Sequence, residues 1–289
     1  RGSPKTGAAV RENELACAST LTVVDGAPRA RQVPRMKIAT WNVNSVRARL
    51  ARVVDWLEQE RPDVALLQEI KCQDEQFPRE AVEELGYNVE TFGQKTYNGV
   101  AILAKHRIED VRRGMPGEAE GAQRRVIAAQ VDDVLVVNVY VVNGEAVGSE
   151  KFAYKLEWLE RLAQYLASFD MREKVVVGGD FNITFDDRDV YDPEAWREKI
   201  LCSTTERRAL AKVMAPGYVD AYRRFHEEAG QYSWWDFRTR GFERGNGLRI
   251  DHFLMSPPAL AACSDVVIDK RYRGGEKPSD HAPVVAELA

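Results

Sequence analysis

The chain has 289 residues, of which 44% are hydrophobic and 30% charged, and its formal net charge is −4. This length and apolar content predict a soluble globular protein of one large domain or two small ones. No apolar stretch approaches the span that a membrane helix needs, so the sequence predicts no membrane partner. The negative charge excludes a protein that coats nucleic acid by bulk charge, and any polyanion site must be a local face.

The first 35 residues differ from the rest in composition. They are polar, rich in Gly, Pro and Ala, and without sustained periodicity. This pattern predicts a disordered leader, or an extension added ahead of a natural start at Met36. The folded domain is then expected over residues 36–289.

From Met36 the chain alternates between strand and helix patterns. Short apolar runs predict strands, and apolar residues at helical spacing predict amphipathic helices. Short turns in the middle of the chain predict that the strands there form an antiparallel meander. The predicted strands are 37–43, 63–69, 87–92, 99–104, 125–131, 134–142, 175–180, 248–255, 265–269 and 282–288. The predicted helices are 46–60, 79–85, 149–169, a helix from 193, 205–214 and 220–228.

Basic residues form five clusters along the chain. A single cluster is more often solvated surface than a phosphate contact, so only their number favours a polyanion site. The clusters are Arg47/Arg49/Arg52, Arg112/Arg113, Arg124/Arg125, Arg238/Arg240/Arg244/Arg249 and Lys270/Arg271/Arg273.

The four cysteines are far apart in the sequence, and none belongs to a Cys-x-x-Cys pair. No second Cys or His lies at ligand spacing beside any of them, which argues against a zinc site. Their sparse use predicts a reducing compartment, and we expect a cytoplasmic protein.

One predicted strand ends in an unusual way. The segment Lys174–Asn182 reads KVVVGGDFN, an apolar run that ends in two glycines, a carboxylate and an amide. In extended chain Asp180 and Asn182 point to the same side, which suits a polar cleft. A strand followed by an Asx turn is the alternative interpretation of these residues alone.

Polar residues that bind a hard cation or move protons lie at the ends of several predicted strands or in the loops beside them. Oxygen ligands without a cysteine favour magnesium or manganese over zinc. Each residue alone also fits a structural role, such as a turn former, a helix cap, a core histidine or, for Asp251, the partner of Arg249. The residues are Asn42, Glu69, Tyr140, Asp180, Asn182, Asp251, Asp280 and His281.

These residues fall within six short motifs. The motifs are Thr40–Asn44 (TWNVN), Leu67–Glu69 (LQE), Asn138–Tyr140 (NVY), Gly179–Asn182 (GDFN), Leu248–Asp251 (LRID) and Ser279–Pro283 (SDHAP). In this order they resemble the motif set of the exonuclease III family of apurinic/apyrimidinic endonucleases. The segments Ala122–Arg125 and Tyr232–Arg238 resemble its bacterial branch as well. The resemblance covers essentially Met36–Leu288.

The resemblance implies an α/β fold, a four-layer αββα sandwich of two mainly antiparallel sheets flanked by helices. It implies a Mg²⁺-dependent, or Mn²⁺-dependent, DNA repair nuclease that hydrolyses the phosphodiester 5′ to abasic sites in duplex DNA. Activities of a 3′–5′ exonuclease and a 3′-phosphatase or phosphodiesterase are expected to accompany it. A monomeric catalytic domain over residues 36–289 is implied too.

The resemblance also implies a metal site. Glu69 would be the main metal carboxylate, with Asn42 and Asp280 close to the metal or its waters. Asn44 stands where some relatives carry an acid, which weakens the case for a second tightly bound metal.

The catalytic roles follow from the same resemblance. Asp180 would be the acid/base residue, Asn182 would position the phosphate and the nucleophile, and His281 would contact the phosphate while Asp251 holds it. Tyr140 is another candidate proton donor or ligand. The sequence leaves the choice between Asp180 and Tyr140 open.

For the substrate, the resemblance places Trp234, Leu248 and Ile250 around a pocket for a flipped abasic sugar. Ordinary core packing is the alternative for the tryptophan. Arg47, Arg113, Arg125 and the segment Arg238–Arg249 would contact the DNA backbone around this pocket.

Asn143 is a further candidate phosphate contact. Its loop carries Val142 where many relatives have proline, which makes the loop less rigid.

Gly178 and Gly179 would let the end of their strand approach the scissile phosphate, so Gly179→Val is expected to impair turnover more than folding.

Two rival functions stay open at this point. A phosphodiesterase of the same fold could act on lipid or inositol phosphates, although no apolar membrane-binding loop accompanies the motifs. A catalytically inactive DNA-binding module is the other rival, and it would be expected to lack one of the acids. Glu69, Asp180, Asp251 and Asp280 are all present.

Overall fold

The structure is a computed structural model that describes residues 35–289, and all but the last residue of the predicted leader lies outside this range. The strands are β1 (Met36–Asn42), β2 (Val64–Gln68), β3 (Asn88–Phe92), β4 (Val100–Ala104), β5 (Ile108–Arg113), β6 (Val126–Val131), β7 (Val134–Tyr140), β8 (Lys174–Asp180), β9 (Val219–Asp220), β10 (Asp251–Met255), β11 (Cys263–Ile268) and β12 (Val284–Leu288). The helices are α1 (Leu50–Glu60), α2 (Arg79–Glu83), α3 (Glu150–Ala167), α4 (Pro193–Trp196), α5 (Thr204–Met214), α6 (Ala221–Phe225), α7 (Gly241–Arg244) and α8 (Pro257–Ala262). Within this range no helix combines the length and the apolar character needed to cross a membrane.

The strands form two sheets of six. The first has the order β11-β12-β1-β2-β4-β3 and the second the order β5-β6-β7-β8-β10-β9. In each sheet one central pair is parallel, β1 with β2 and β7 with β8. The other neighbours are antiparallel. The predicted pair of mainly antiparallel sheets is therefore confirmed.

Alternation along the strands builds the layers. Ile38 in β1 and Val176 in β8 belong to the core between the sheets. The alternate residue Trp41 packs with Trp56 of α1 outside the first sheet, and Val177 packs with α3 residues such as Leu162 outside the second. Successive strand side chains point to opposite faces, so each sheet buries both faces. The predicted αββα sandwich is confirmed by this arrangement.

The predicted meander is wrong in one respect. β4 pairs within the first sheet with β2 and β3, whereas β6 pairs within the second sheet with β5 and β7. The second sheet begins with β5 at its edge, a strand that the pattern did not predict. Its residues alternate only between intermediate and exposed, so this edge strand lacks the apolar run of a buried strand.

The structure gives Gly178 and Gly179 a role different from the predicted one. A Cβ on Gly179 would lie 1.9 Å from the carbonyl oxygen of Val139 in the neighbouring strand β7. A Cβ on Gly178 would lie 2.6 Å from Phe253 of the neighbouring strand β10. It would also lie 2.8 Å from Leu66 of the opposite sheet. Both glycines are therefore required by packing within the sandwich, and the expectation that Gly179→Val impairs turnover more than folding is corrected.

Candidate active site

The predicted site residues lie at one end of the sandwich, where strands of both sheets meet. The parallel pairs β1–β2 and β7–β8 bring their carboxyl ends to the same edge of each sheet. β10 is antiparallel to β8, so it begins where β8 ends, and Asp251 lies opposite Asp180 in the register. β12 is antiparallel to β1, which brings the preceding loop with His281 to this edge as well.

Glu69, Asp180 and His281 converge closely enough to hold a metal ion. One potential ligand atom from each lies within 4.8 Å of the others. Asn42 lies between the two carboxylates, and its Nδ2 donates to Glu69 Oε1 and to Asp180 Oδ2, at 2.9 Å in both cases. Carboxylate and amide oxygens are the hard donors that magnesium and manganese prefer. The two carboxylates of this group therefore fit a divalent cation of this type.

Lys71 supplies a positive charge beside the same group. Its Nζ lies 2.7 Å from Glu69 Oε2 and donates to Asn44 Oδ1 at 2.6 Å. Burial would raise the pKa of Glu69, but Lys71, together with the hydrogen bond from Asn42, outweighs burial and lowers it. Glu69 is therefore ionised at neutral pH, which a metal ligand must be.

Asp280 lies beside this group, outside the set of three. Its Oδ1 accepts from Asn44 Nδ2 at 2.9 Å, and its Oδ2 accepts from Trp234 Nε1 at 3.1 Å. Burial opposes ionisation, but the charge of His281 and these two hydrogen bonds lower the pKa of Asp280. The structure thus ties Asp280 to Asn44 and Trp234, and its contact with a cation stays a prediction.

His281 is held by Asp251. Its Nδ1 lies 2.8 Å from Asp251 Oδ2, which also accepts from Ser233 Oγ at 2.6 Å. Its Nε2 lies 3.8 Å from Asp180 Oδ2. Burial would lower the pKa of His281, but the carboxylates of Asp251 and Asp180 outweigh burial and raise it to about 10. At neutral pH the ring is therefore an imidazolium with a donor available to a phosphate oxygen.

Asp180 is almost fully buried, with 1% of its surface exposed. Burial raises the pKa of Asp180 to about 7, against the charge of His281 and with the support of the Asp251 carboxylate. The backbone N–H of Asn182 donates to Asp180 Oδ1 at 2.9 Å, which fixes the orientation of the carboxyl group. A group with a pKa near 7 can both take up and release a proton at neutral pH.

Tyr140 ends β7 inside the site. Burial, followed by the Glu69 carboxylate, raises the pKa of Tyr140 well above its usual value, so the side chain is a phenol at neutral pH. The Arg125 guanidinium lies 4.4 Å from the centre of the Tyr140 ring, and its Nη1 donates to Tyr140 O at 3.1 Å. Arg125 is only 7% exposed. Its predicted contact with DNA backbone therefore stays a prediction, while its contact with Tyr140 is direct.

Two amide side chains stand next to each other beyond the strand ends. Asn143 Nδ2 donates to Asn182 Oδ1 at 2.9 Å. Asn182 Nδ2 donates to Val141 O at 3.1 Å and to Asp180 Oδ2 at 3.2 Å. Asn143 is exposed and Asn182 is buried, so the pair connects the surface loop after β7 with the acid at the end of β8.

Trp234 forms one wall of the site. It is bridged to Leu248 and to His281, and its ring nitrogen donates to Asp280. Leu248 and Ile250 are 0% and 1% exposed, and both lie in an apolar cluster against which Trp234 packs. They support the tryptophan from behind, and a direct contact between them and a sugar stays a prediction.

Several arginines of the predicted basic clusters serve the fold instead. Arg249 is fully buried and pairs with Asp189 and Asp220, and Asp251 is left to His281. Arg52 donates to three carbonyl oxygens in the loop that precedes His281. Arg47, by contrast, is exposed. The basic surface is therefore smaller than the sequence clusters indicated.

Sequence reasoning missed two residues that hold the site. The periodicity of the sequence gives no indication of a role for Ser233, yet its hydroxyl donates to Asp251. Lys71 lies two residues after Glu69, and a basic residue so close to a metal carboxylate was the available signal. Ser233 immediately precedes Trp234, so its neighbour in the motif was the only signal for it.

The chain resembles known proteins in sequence and in fold. Residues 39–281 match the model of the Endonuclease/Exonuclease/phosphatase family. Exodeoxyribonuclease III of Haemophilus influenzae is 38% identical over 266 residues, which are 88% of this chain and 100% of the relative. A 3′ phosphatase from Neisseria, solved with a product DNA hairpin, is 47% identical with a TM-score of 0.86 and covers 88% of this chain and 99% of its own.

An AP endonuclease from Archaeoglobus fulgidus is 40% identical with a TM-score of 0.84, and the match covers 87% of this chain and 98% of that one. The matched region contains every residue of the strand-end site from Asn42 to His281. By sequence and by fold, this chain belongs to the endonuclease/exonuclease/phosphatase family, in the group that contains exodeoxyribonuclease III.

Proposed function

We propose that this protein is a Mg²⁺-dependent DNA repair nuclease that hydrolyses the phosphodiester 5′ to abasic sites in duplex DNA. The observation that carries the proposal is the convergence of Glu69, Asp180 and His281 within 4.8 Å beside the wall formed by Trp234. The relatives support the reaction class, since they include an exodeoxyribonuclease, a 3′ phosphatase and an AP endonuclease. DNA 3′ ends are therefore proposed as additional substrates.

The cleavage step needs an attacking water, charge stabilisation at the phosphate and a proton for the leaving 3′ oxygen. Asp180, with a pKa of about 7, takes the proton from the water. Asn182 orients the phosphate, and the His281 imidazolium binds a non-bridging phosphate oxygen. Tyr140 keeps its proton at neutral pH and is the group available to protonate the leaving oxygen.

A divalent cation completes this scheme. Glu69 is ionised and would hold the ion, with Asn42 and Asp280 near it. When bound, Mg²⁺ or Mn²⁺ would add counter-charge for the developing phosphate anion. Asp280 would support the site through the hydrogen bond that it accepts from Asn44.

The DNA would lie over the edge where the strands end. Trp234 offers an aromatic surface to an extruded abasic sugar, which leaves the duplex cheaply because it has no base to unstack. Arg47, which is exposed, Arg125 and Asn143 would contact phosphates around it. We further propose that residues 36–289 act as a single nuclease domain of a cytoplasmic monomer.

Cleavage of a 5′-labelled duplex that contains one tetrahydrofuran abasic analogue tests the proposal. With Mg²⁺, the wild type is expected to cut 5′ to the analogue, and EDTA is expected to stop the reaction. Asp180→Asn removes the proton acceptor but keeps the shape of the side chain, so kcat is expected to fall about 10²–10⁴-fold. The Kd for the duplex, measured by fluorescence anisotropy, is expected to stay within about threefold of the wild-type value.

Asp133→Asn is the matched control. Asp133 pairs with Lys174 at the opposite end of β8 and is exposed, so this variant is expected to cleave like the wild type. An inactive wild type, or an Asp180→Asn variant as fast as the wild type, would refute the proposal. Parallel assays on sphingomyelin and an inositol phosphate would reveal the rival phosphodiesterase, and a recessed and a 3′-phosphate duplex would rank the activities at 3′ ends.

A further inference from the structure

A buried lysine lies directly under the two amides of the site. Lys155 belongs to α3 and has no exposed surface. Its Nζ donates to Asn143 O at 3.0 Å and to Asn182 O at 2.8 Å. Its third partner is the carboxylate of Glu206 in α5, which is equally buried. All three donors of the ammonium group are thus used.

The carboxylate that receives this lysine is itself fixed. Glu206 closes a capping box with Ser203 at the start of α5, and its Oε2 accepts from Ser203 Oγ at 2.6 Å. Its Oε1 accepts from the backbone N–H of Leu201 at 3.1 Å. The position of the ammonium group is therefore set by α3 and α5, two elements that lie outside the site.

The loop above Lys155 is also held by its own hydrogen bonds, since Ser149 Oγ donates to Gly144 O at 3.0 Å and the backbone N–H of Glu145 donates to Asn143 Oδ1 at 3.1 Å. Val142 allows a range of φ values that proline would not. Gly144 has a φ of +89°, and a Cβ there would lie 3.0 Å from Lys155 Cδ, so the loop passes directly over the lysine stem. Asn182 also has a positive φ, of +50°. Lys155 donates to the backbone of both turns.

Stability alone does not account for this arrangement. A buried ion pair is often no more stabilising than a packed apolar pair of similar volume. Here the ammonium group does what an apolar side chain cannot, because it joins the carbonyl of one loop to the carbonyl of another. The carbonyls belong to the residues whose side chains meet as Asn143 Nδ2 and Asn182 Oδ1, 2.9 Å apart.

We propose that Lys155 is a positioning residue, which sets the separation of Asn143 and Asn182 and thereby the seat of the scissile phosphate. The proposal rests on the proposed nuclease function. Alignment of the phosphate with the attacking water is needed in the transition state more than in the bound substrate. Loss of Lys155 should therefore lower kcat while KM changes little.

The pair variant Lys155→Met/Glu206→Gln tests this without leaving a buried charge unpaired. On the tetrahydrofuran duplex with Mg²⁺, kcat is expected to fall about 10–100-fold, with KM and Kd within about threefold of the wild type. Lys212→Met/Glu160→Gln is the matched control, since this pair also joins α5 to α3 but is exposed, and it is expected to leave kcat unchanged. If the first pair does not fold, judged by far-UV circular dichroism, Lys155→Gln/Glu206→Gln replaces it with the same expectations.

A double-mutant cycle separates positioning from general loosening. In an Asn182→Ala background, the Lys155 pair variant is expected to lower kcat by less than about threefold, because the group it positions is absent. Equal losses in both backgrounds, an unchanged kcat, or a rise in KM that accounts for the whole effect would overturn the proposal. A wild type that cleaves no DNA would instead refute the nuclease function, so the two failures are distinguishable.

Discussion

At the scale of single residues, Gly178 and Gly179 show how close the backbone of β8 lies to its neighbours. A side chain on Gly179 would meet the carbonyl oxygen and carbon of Val139, which are held by the parallel ladder between β7 and β8. A side chain on Gly178 would meet the ring of Phe253 and a methyl group of Leu66. Side chains can rotate away, whereas a paired backbone cannot.

Gly179→Ala is therefore expected to cost more stability than Gly178→Ala. We expect a loss of about 3 kcal/mol or more in the free energy of unfolding, or no folded protein, for Gly179→Ala. Gly178→Ala is expected to cost about 1–3 kcal/mol because Phe253 and Leu66 can shift. Urea unfolding followed by circular dichroism measures both. Gly274→Ala, where the nearest atom would lie 3.7 Å away, is the control.

This expectation would be contradicted if Gly179→Ala unfolded at the same urea concentration as Gly274→Ala. The relative stability of Gly178→Ala and Gly179→Ala is the more sensitive test. If Gly178→Ala proved the less stable variant, the contact between the sheets would limit the sandwich more than the β7–β8 ladder does.

At the scale of elements, a polar bridge joins the two sheets just behind the site. Asn138 of β7 donates to Leu67 O at 2.9 Å and to Ala101 O at 2.8 Å, both in the other sheet. Its Oδ1 accepts from Gln68 Nε2 at 2.7 Å. All these groups are buried. Such a bridge fixes the register of one sheet against the other, which hydrophobic contact alone does not specify.

Asn138→Leu is expected to cost about 3–5 kcal/mol of unfolding free energy. It removes a buried donor from two carbonyls and one acceptor from the Gln68 amide, which keeps its bonds to Thr40 Oγ1 and Leu66 O. Asn88→Leu is the matched control. Asn88 also donates to two carbonyls, Ala104 O and His106 O, but it is exposed, so we expect a cost below about 1 kcal/mol. Equal urea midpoints for the two variants would show that the bridge adds nothing to stability.

Most elements could be predicted because their residues carry a local signal. The predicted strand at 175–180 is β8 almost to the residue, and Ser149 accepts from the N–H of Phe152 at the predicted start of α3. α1 begins at Leu50 instead of Val46, because the chain turns through positive φ at Asn44 and Ser45 before the helix. That turn depends on tertiary contacts, such as the hydrogen bond from Ser45 N–H to Glu69 O, so the periodicity of the sequence cannot predict it.

At the scale of the whole molecule, the strand-end acids and amides could be named from the sequence, but their convergence could not. Asn42 and Asp180 are 138 positions apart, and their hydrogen bond exists because the two sheets stack with both parallel pairs ending at one edge. Arg249 and Arg273 belong to basic clusters that the sequence predicts at the surface, whereas both side chains are buried. Arg249 can be buried because it pairs with Asp189 and Asp220, which lie far from it along the chain.

His252, inside the buried charge cluster around Arg249, should lower the stability of the fold in mild acid. His252 Nδ1 lies 3.1 Å from Arg249 Nη1, and its Nε2 lies 2.8 Å from Ile183 O. Arginine can only donate, so Nδ1 must accept and the ring is neutral. Burial, followed by the charge of Arg249, lowers the pKa of His252 to about 4, although the carboxylates of Asp220 and Asp189 oppose this.

The sign of the effect follows from linkage. Between pH 6.5 and about pH 4, His252 is protonated in the unfolded chain but stays neutral in the folded chain. The free energy of unfolding therefore falls as the pH falls. From pH 7 to pH 5 this group is expected to remove about 2 kcal/mol from the free energy of unfolding. Asp180, whose pKa is raised to about 7, acts in the opposite direction over the same range.

Comparison of the wild type with His252→Gln isolates the histidine, because Asp180 is common to both proteins. Glutamine can accept from Arg249 and donate to Ile183 O, but it does not titrate. We expect the wild type to lose about 2 kcal/mol more than His252→Gln between pH 7 and pH 5 in urea unfolding. His106→Gln, which removes an exposed histidine beside Asp132, is the control and is expected to follow the wild type. Parallel pH profiles for the wild type and His252→Gln would mean that His252 can charge inside the fold, and that the Arg249 cluster opens in mild acid.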